Sequence, residues 1–65
     1  MRQIPDTVID KASWVDLEEL DEHGEELSQW EIDFVDELYA RLREGKTLTA
    51  KQAAKLEDIR EQRLR

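Results

Sequence analysis

The side chains in this sequence that could do chemistry are almost all carboxylates. They concentrate in Glu18-Glu19-Leu20-Asp21-Glu22-His23-Gly24-Glu25-Glu26, which also holds the one histidine, and the chain has no cysteine. Disulfides and cysteine-ligated zinc or iron–sulfur centres are therefore excluded. His23 would have to act as base or metal ligand alone, without a second histidine or an activated serine beside it. Its place in the last turn of a helix gives a structural reason instead, since a cation there favours the carbonyl end of the dipole. A calcium loop also fails on register. With Gly24 as the turn glycine, Glu19, Asp21 and His23 fall on the first three ligand positions, but the position that needs a bidentate acid is Trp30. The carboxylate pairs Asp33 with Glu37 and Asp36 with Glu37 lie on one polar helical face, where nothing separates their pKa values for acid–base work. No glycine-rich phosphate loop or nucleophile elbow is present. The residues predict no enzyme, no cofactor and no metal site.

The elements that must position these groups announce themselves by helix-start signals. In Val15-Asp16-Leu17-Glu18-Glu19-Leu20, Asp16 reads as a cap answered by Glu19, with Val15 and Leu20 as a hydrophobic staple. Leu27-Ser28-Gln29-Trp30-Glu31-Ile32 repeats the arrangement with Ser28 and Glu31. Leu48-Thr49-Ala50-Lys51-Gln52-Ala53 does so again with Thr49 and Gln52. Gly24 and Gly45 stand where left-handed residues would close the preceding helices. The pattern predicts helices at about 17–23, 29–44 and 50–63. The loop Gly45-Lys46-Thr47-Leu48 folds the last two into an antiparallel hairpin. The expected fold is all-α: a small three-helix unit spanning 14–65, preceded at 1–13 by an arm or a short extra helical turn.

Apolar faces follow from about 100° per residue. On the long helix Trp30, Phe34, Leu38 and Leu42 step along one side, widened by Ile32, Val35 and Tyr39, with Asp33, Asp36, Glu37 and Glu44 opposite. The third helix offers Ala53, Leu56 and Ile59, with Arg60 and Arg63 at the edge, and its alanines predict close approach to the long helix. The first helix offers Trp14, Leu17 and Leu20. Trp14 reads equally as a lid on the core or as an exposed anchor.

The chain of 65 residues is 38% hydrophobic, with alanines among that share. That supports a thin helical core without a deep pocket, near the size limit for folding without staples. Seventeen acids oppose ten Lys and Arg for a net charge of −7, and the imbalance is local. Residues 1–37 hold thirteen acids and two bases, whereas 38–65 hold four acids and eight bases. Such a balance argues against unaided binding to nucleic acid or an anionic membrane. No apolar run reaches the roughly 18 residues of a membrane span, and the N-terminus lacks the apolar core of a signal peptide. A cytoplasmic location is the expectation.

From Leu27-Ser28-Gln29-Trp30-Glu31-Ile32-Asp33-Phe34-Val35 through Leu48-Thr49-Ala50-Lys51-Gln52-Ala53-Ala54-Lys55-Leu56-Glu57-Asp58-Ile59, about half the chain resembles a helical-hairpin segment of small phage and mobile-element proteins, and of tails of proteins that handle nucleic acids. The shared positions are caps and core residues. The resemblance implies a hairpin fold and a phage-like setting, and transfers no active-site residue.

Together these readings predict a non-enzymatic protein-interaction module with a basic protein partner. Its expected face comprises Asp16, Glu18, Glu19, Asp21, Glu22, Glu25 and Glu26, extended by Asp33, Asp36 and Glu37, with Trp14 as a possible apolar anchor. A sharper form is a phage-type inhibitor that mimics nucleic acid in the basic groove of a nucleic-acid-processing protein. Two alternatives belong to other classes. One is an accessory module that contacts phosphate through Lys51, Lys55, Arg60 and Arg63; the other is a structural homodimer that completes its core with a second copy.

Overall fold

The computed structural model describes residues 4–24 and 26–64. Among them the regular structure is helical throughout: α1 (Lys11–His23), α2 (Gln29–Arg43) and α3 (Ala50–Arg63). The all-α three-helix expectation therefore holds, and the second and third helices start where their capping boxes place them. Ser28 Oγ accepts from the Glu31 amide at 3.2 Å while Glu31 Oε1 accepts from the Ser28 amide at 2.8 Å. Thr49 and Gln52 form the same reciprocal pair at 3.1 and 3.0 Å. Each box satisfies two amides that the first helical turn leaves without intrahelical partners.

The first helix begins at Lys11 rather than near Leu17, and its cap is Asp10 rather than Asp16. The Asp10 carboxylate accepts from the Ser13 amide at 3.2 Å and from the Ser13 hydroxyl at 2.7 Å. Ser13 at the third helical position donates to the capping carboxylate instead of accepting from the Asp10 amide, so this start is a simple cap and not a box. The Asp16–Glu19 box does not form, because both residues lie within an uninterrupted helix. Val15 is half exposed, so the Val15–Leu20 staple is absent too. The earlier start aligns Trp14, Leu17 and Leu20 at three-residue spacing on one buried face. It also moves the boundary of the ordered unit. The Val8 amide donates to the Pro5 carbonyl at 3.0 Å, and this turn drops Val8 into the core with Ile4 packed beside it. Of the expected arm or short extra turn at 1–13, residues 5–8 carry this turn and the last three lie in α1; residues 1–3 lie outside the described residues.

The core is formed by Val8, Trp14, Leu17, Leu20, Val35, Leu38, Tyr39, Leu42, Leu56 and Ile59. Trp14 is 2% exposed and meets Tyr39 edge-on, with ring centroids 4.7 Å apart and planes at 69°. The Arg43 guanidinium covers both rings at 5.4 and 5.7 Å from their centroids. Trp14 is therefore core, closed over by Arg43, and not an exposed anchor.

On α2 the buried stripe is Glu31, Val35, Leu38, Tyr39 and Leu42, rotated from the expected row. Each four-residue step advances about 40° around a helix, so the row from Trp30 to Leu42 spans about 120°. Leu38 and Leu42 are fully buried, Phe34 is partly buried, and Trp30 at the far end is 56% exposed. Ile32 is 41% exposed and does not widen the core stripe. On α3 Leu56 and Ile59 are buried, but Ala53 and its neighbouring alanines face outward. The alanines therefore do not mediate close approach. Long arginine side chains from α3 bridge to the other helices instead.

The two glycines act differently. Gly45 has φ of 81° and closes α2. Its amide reaches the Leu42 carbonyl at 3.0 Å and the Lys46 amide reaches Arg41 at 3.4 Å, the paired bonds of a Schellman motif. Arg41 Nε also donates to the Thr47 carbonyl at 2.6 Å, tightening the turn into α3. Gly24, expected to be left-handed, is extended at φ −67° and ψ 138°. It is required for closeness: a Cβ there would stand 2.4 Å from the Leu20 carbonyl oxygen, which accepts the Gly24 amide. Among the described residues of that loop, Glu26 is left-handed, at φ 55°.

Candidate protein-docking surface

The acidic residues divide according to which helix faces them. Asp16 and Glu19, one turn apart on α1, turn toward α3, where Arg60 approaches them at 3.6 and 3.5 Å. Arg60 also pairs with Glu57 at 3.5 Å and is only 23% exposed. These two carboxylates consequently help hold α1 to α3, and Glu19 also borders the open surface of α1. Glu31 holds helices together more tightly. Its carboxylate takes two bonds from Arg63, 2.8 Å to Nη2 and 3.2 Å to Nε, while serving the capping box. The Arg63 hydrogen bonds, then the Ser28 amide, hold the Glu31 carboxyl below the usual carboxylate range against the opposing effect of burial. This pair ties the start of α2 to the end of α3, as antiparallel helices require.

Of the remaining acids of α1, Asp21 and Glu22 are exposed and Glu18 is half buried. Glu18, Glu19 and Glu22 line a shallow open hollow with Val15 and His23. Val15, in its lining, is 48% exposed, and Ile9, before the helix and not in the lining, is 67% exposed. Glu18 is half buried, and its Oε2 lies out of solvent with no hydrogen-bond donor from the described residues. His23 Nε2 stands 3.9 Å from a Glu22 oxygen and is 70% exposed on the last turn, as the dipole argument places it. Asp21 and Glu26 are exposed near the same helix end, and Glu25 lies outside the described residues.

Asp33, Asp36 and Glu37 are exposed on α2, opposite its buried stripe, and Asp33 accepts from Gln29 Nε2 at 3.0 Å. Because the acids of α1 and of α2 each face away from the same core, they radiate in different directions. The structure thus supplies two acidic faces where the sequence suggested one extended face. The one on α1 carries exposed aliphatic side chains and a recess.

The basic residues of α3 are likewise not gathered. Arg60 and Arg63 are engaged with carboxylates of α1 and α2. Lys55 lies over the Trp30 ring at 5.1 Å from its centroid, and Lys51 is exposed one turn earlier. Trp30 in turn stacks on Phe34, with centroids 5.4 Å apart and planes at 5°. Helical spacing places both rings in the core; Phe34 does pack against it, whereas Trp30 is exposed, and the drift of a four-residue row was the signal for that difference. Burial of Glu31 was also missed, although it precedes Val35, Leu38 and Leu42 at helical spacing.

Among the described residues no group of three acidic or histidine side chains is placed to hold a metal ion, and no helix is long and apolar enough to cross a membrane. Comparisons with protein-family models, curated proteins and solved structures find no match to this chain.

Proposed function

We propose that this chain is a non-catalytic docking module whose α1 face binds a basic segment of a protein partner. The observation that carries this reading is the hollow around Val15. A half-buried carboxylate, Glu18, lines it with Glu19 and Glu22 beside the exposed aliphatic carbon of Val15. A lysine or arginine entering the recess would give Glu18 a charge-assisted bond, while the partner's apolar residues would cover Val15. The net charge of the first 37 residues would steer such a partner and make the encounter salt-sensitive.

In its sharper form the module is a phage-type inhibitor of a nucleic-acid-processing protein. Carboxylates on successive turns, about 5.4 Å apart along the axis, would occupy a groove built for phosphates. The supports are the acidic helix face and the resemblance of the α2–α3 segment to small phage proteins. Dedicated phosphate binding by α3 is the weaker reading, because Arg60 and Arg63 already neutralise carboxylates of the same chain.

The test separates a local site from bulk charge. A dye-labelled amphipathic peptide of lysine and leucine is titrated by fluorescence anisotropy with two triple variants of equal net charge. Reversal at Glu18, Glu22 and Glu26 is expected to weaken binding at least about tenfold, and reversal at Asp33, Asp36 and Glu37 by less than about threefold. Equal losses in both would reduce the effect to overall charge and remove the α1 site. Glu19 is left unchanged because Arg60 depends on it.

A further inference from the structure

A second exposed feature lies on α2 beside α3, apart from the acidic face of α1. Trp30 is the larger member of a stacked aromatic pair whose other member, Phe34, packs partly into the core. A tryptophan 56% exposed and stacked on a half-buried phenylalanine offers a defined aromatic surface that a partner can cover. Lys55 of α3 lies across one ring face, so the pair marks the seam between α2 and α3.

Charge is distributed asymmetrically about that seam. The α2 side carries Asp33 and Glu37, three and seven residues after Trp30. The α3 side carries Lys51 and Lys55 on one edge; Asp58 follows on that edge and leaves it net positive. An aromatic strip with acids along one side and lysines along the other is self-complementary under a two-fold rotation. An axis lying along the strip carries the acids of one copy onto the lysines of the other and places Trp30 against Trp30.

We propose that the chain self-associates as a two-fold dimer through the Trp30–Phe34 seam, with α2 of each copy laid over α3 of the other. Lys55, which shields Trp30 in the single chain, turns to Glu37 and Asp33 of the second copy as the ring is covered. The patch is small, which puts the dimer at the weak end of specific interfaces, with a dissociation constant on the order of 100 µM. Both α1 faces stay outside the interface, so this association stands or falls independently of the docking function.

Sedimentation equilibrium of the intact chain over a concentration series tests the proposal, with tryptophan emission recorded on the same samples. Trp14 is already buried, so a blue shift with rising concentration reports Trp30. The expected result is a monomer–dimer equilibrium accompanied by that shift. Trp30→Ala should weaken association at least about tenfold with its helical circular dichroism unchanged. Glu37→Lys and Lys55→Glu should each weaken it, and the two together should restore it, because the reversed charges meet again across the axis. A monomer at about 1 mM, tenfold above the expected constant, would overturn the proposal and leave the seam to another kind of partner. Association that survives Trp30→Ala, or a double charge swap without rescue, would overturn it as well.

Discussion

Glu31 shows how much one side chain can be asked to do. It closes the α2 capping box, occupies a position on the buried stripe and receives Arg63 from the far end of α3. Removing one member of such a pair leaves the other charge poorly solvated, so Glu31→Ala should cost about 3 kcal/mol, well above a simple cap deletion. Its pKa is lowered on folding. The stabilisation is therefore complete above the unfolded glutamate value of about 4.3 and lost as pH falls through the lower folded value. Thermal melts from neutral to strongly acid pH should show wild type and Glu31→Gln converging at the acid end; a gap that stays constant would contradict the assignment. Gly24 gives a second residue-scale expectation. Gly24→Ala forces a Cβ against the Leu20 carbonyl and should destabilise by about 1–3 kcal/mol, whereas Glu26→Gly relieves a left-handed residue and should be neutral or stabilising. Chemical denaturation of both variants checks the pair. The cap role of Glu31 is legible in Ser28-x-x-Glu31, but Arg63 lies too far along the chain for local pattern to reveal the ion pair.

The helices separate what local chemistry dictates from what packing decides. Ser28–Glu31 and Thr49–Gln52 were readable because the groups that satisfy each helix start lie within four residues of one another. α1 was misplaced for the same reason. Two start signals compete in its sequence, and Asp10 with Ser13 prevails because the longer helix brings Trp14 and Leu17 onto one face with Leu20. Asp10→Ala should therefore cost about 1 kcal/mol, as expected for a cap. Asp16→Ala should change stability by no more than about 0.5 kcal/mol, since it loses one partly exposed contact to Arg60. Urea denaturation followed by circular dichroism distinguishes them, and the reverse order would restore the shorter helix. Faces were legible in outline only. Leu38, Leu42, Leu56 and Ile59 are buried as their spacing predicts, yet Trp30 and Ala53 are not, because the end of an apolar row depends on where the neighbouring helix lies.

At the scale of the whole molecule, the charge asymmetry becomes a division of labour. Part of the acid-rich first half is matched internally: Asp16, Glu19 and Glu31 receive arginines from α3, drawing the two ends of the chain together. The other carboxylates sit on two outward faces, and the one on α1 combines them with exposed Val15. The acidic composition was plain from the sequence, but its sorting into structural and available carboxylates was not, because that depends on where Arg60 and Arg63 arrive. The docking account is tested most directly by amide chemical-shift mapping of the isotope-labelled protein with the lysine–leucine peptide. The account predicts perturbations concentrated on Val15, Glu18, Glu19, Glu22 and His23 that shrink as salt is added. Perturbations centred on Asp33, Asp36 and Glu37, or spread evenly over every acidic residue, would contradict it.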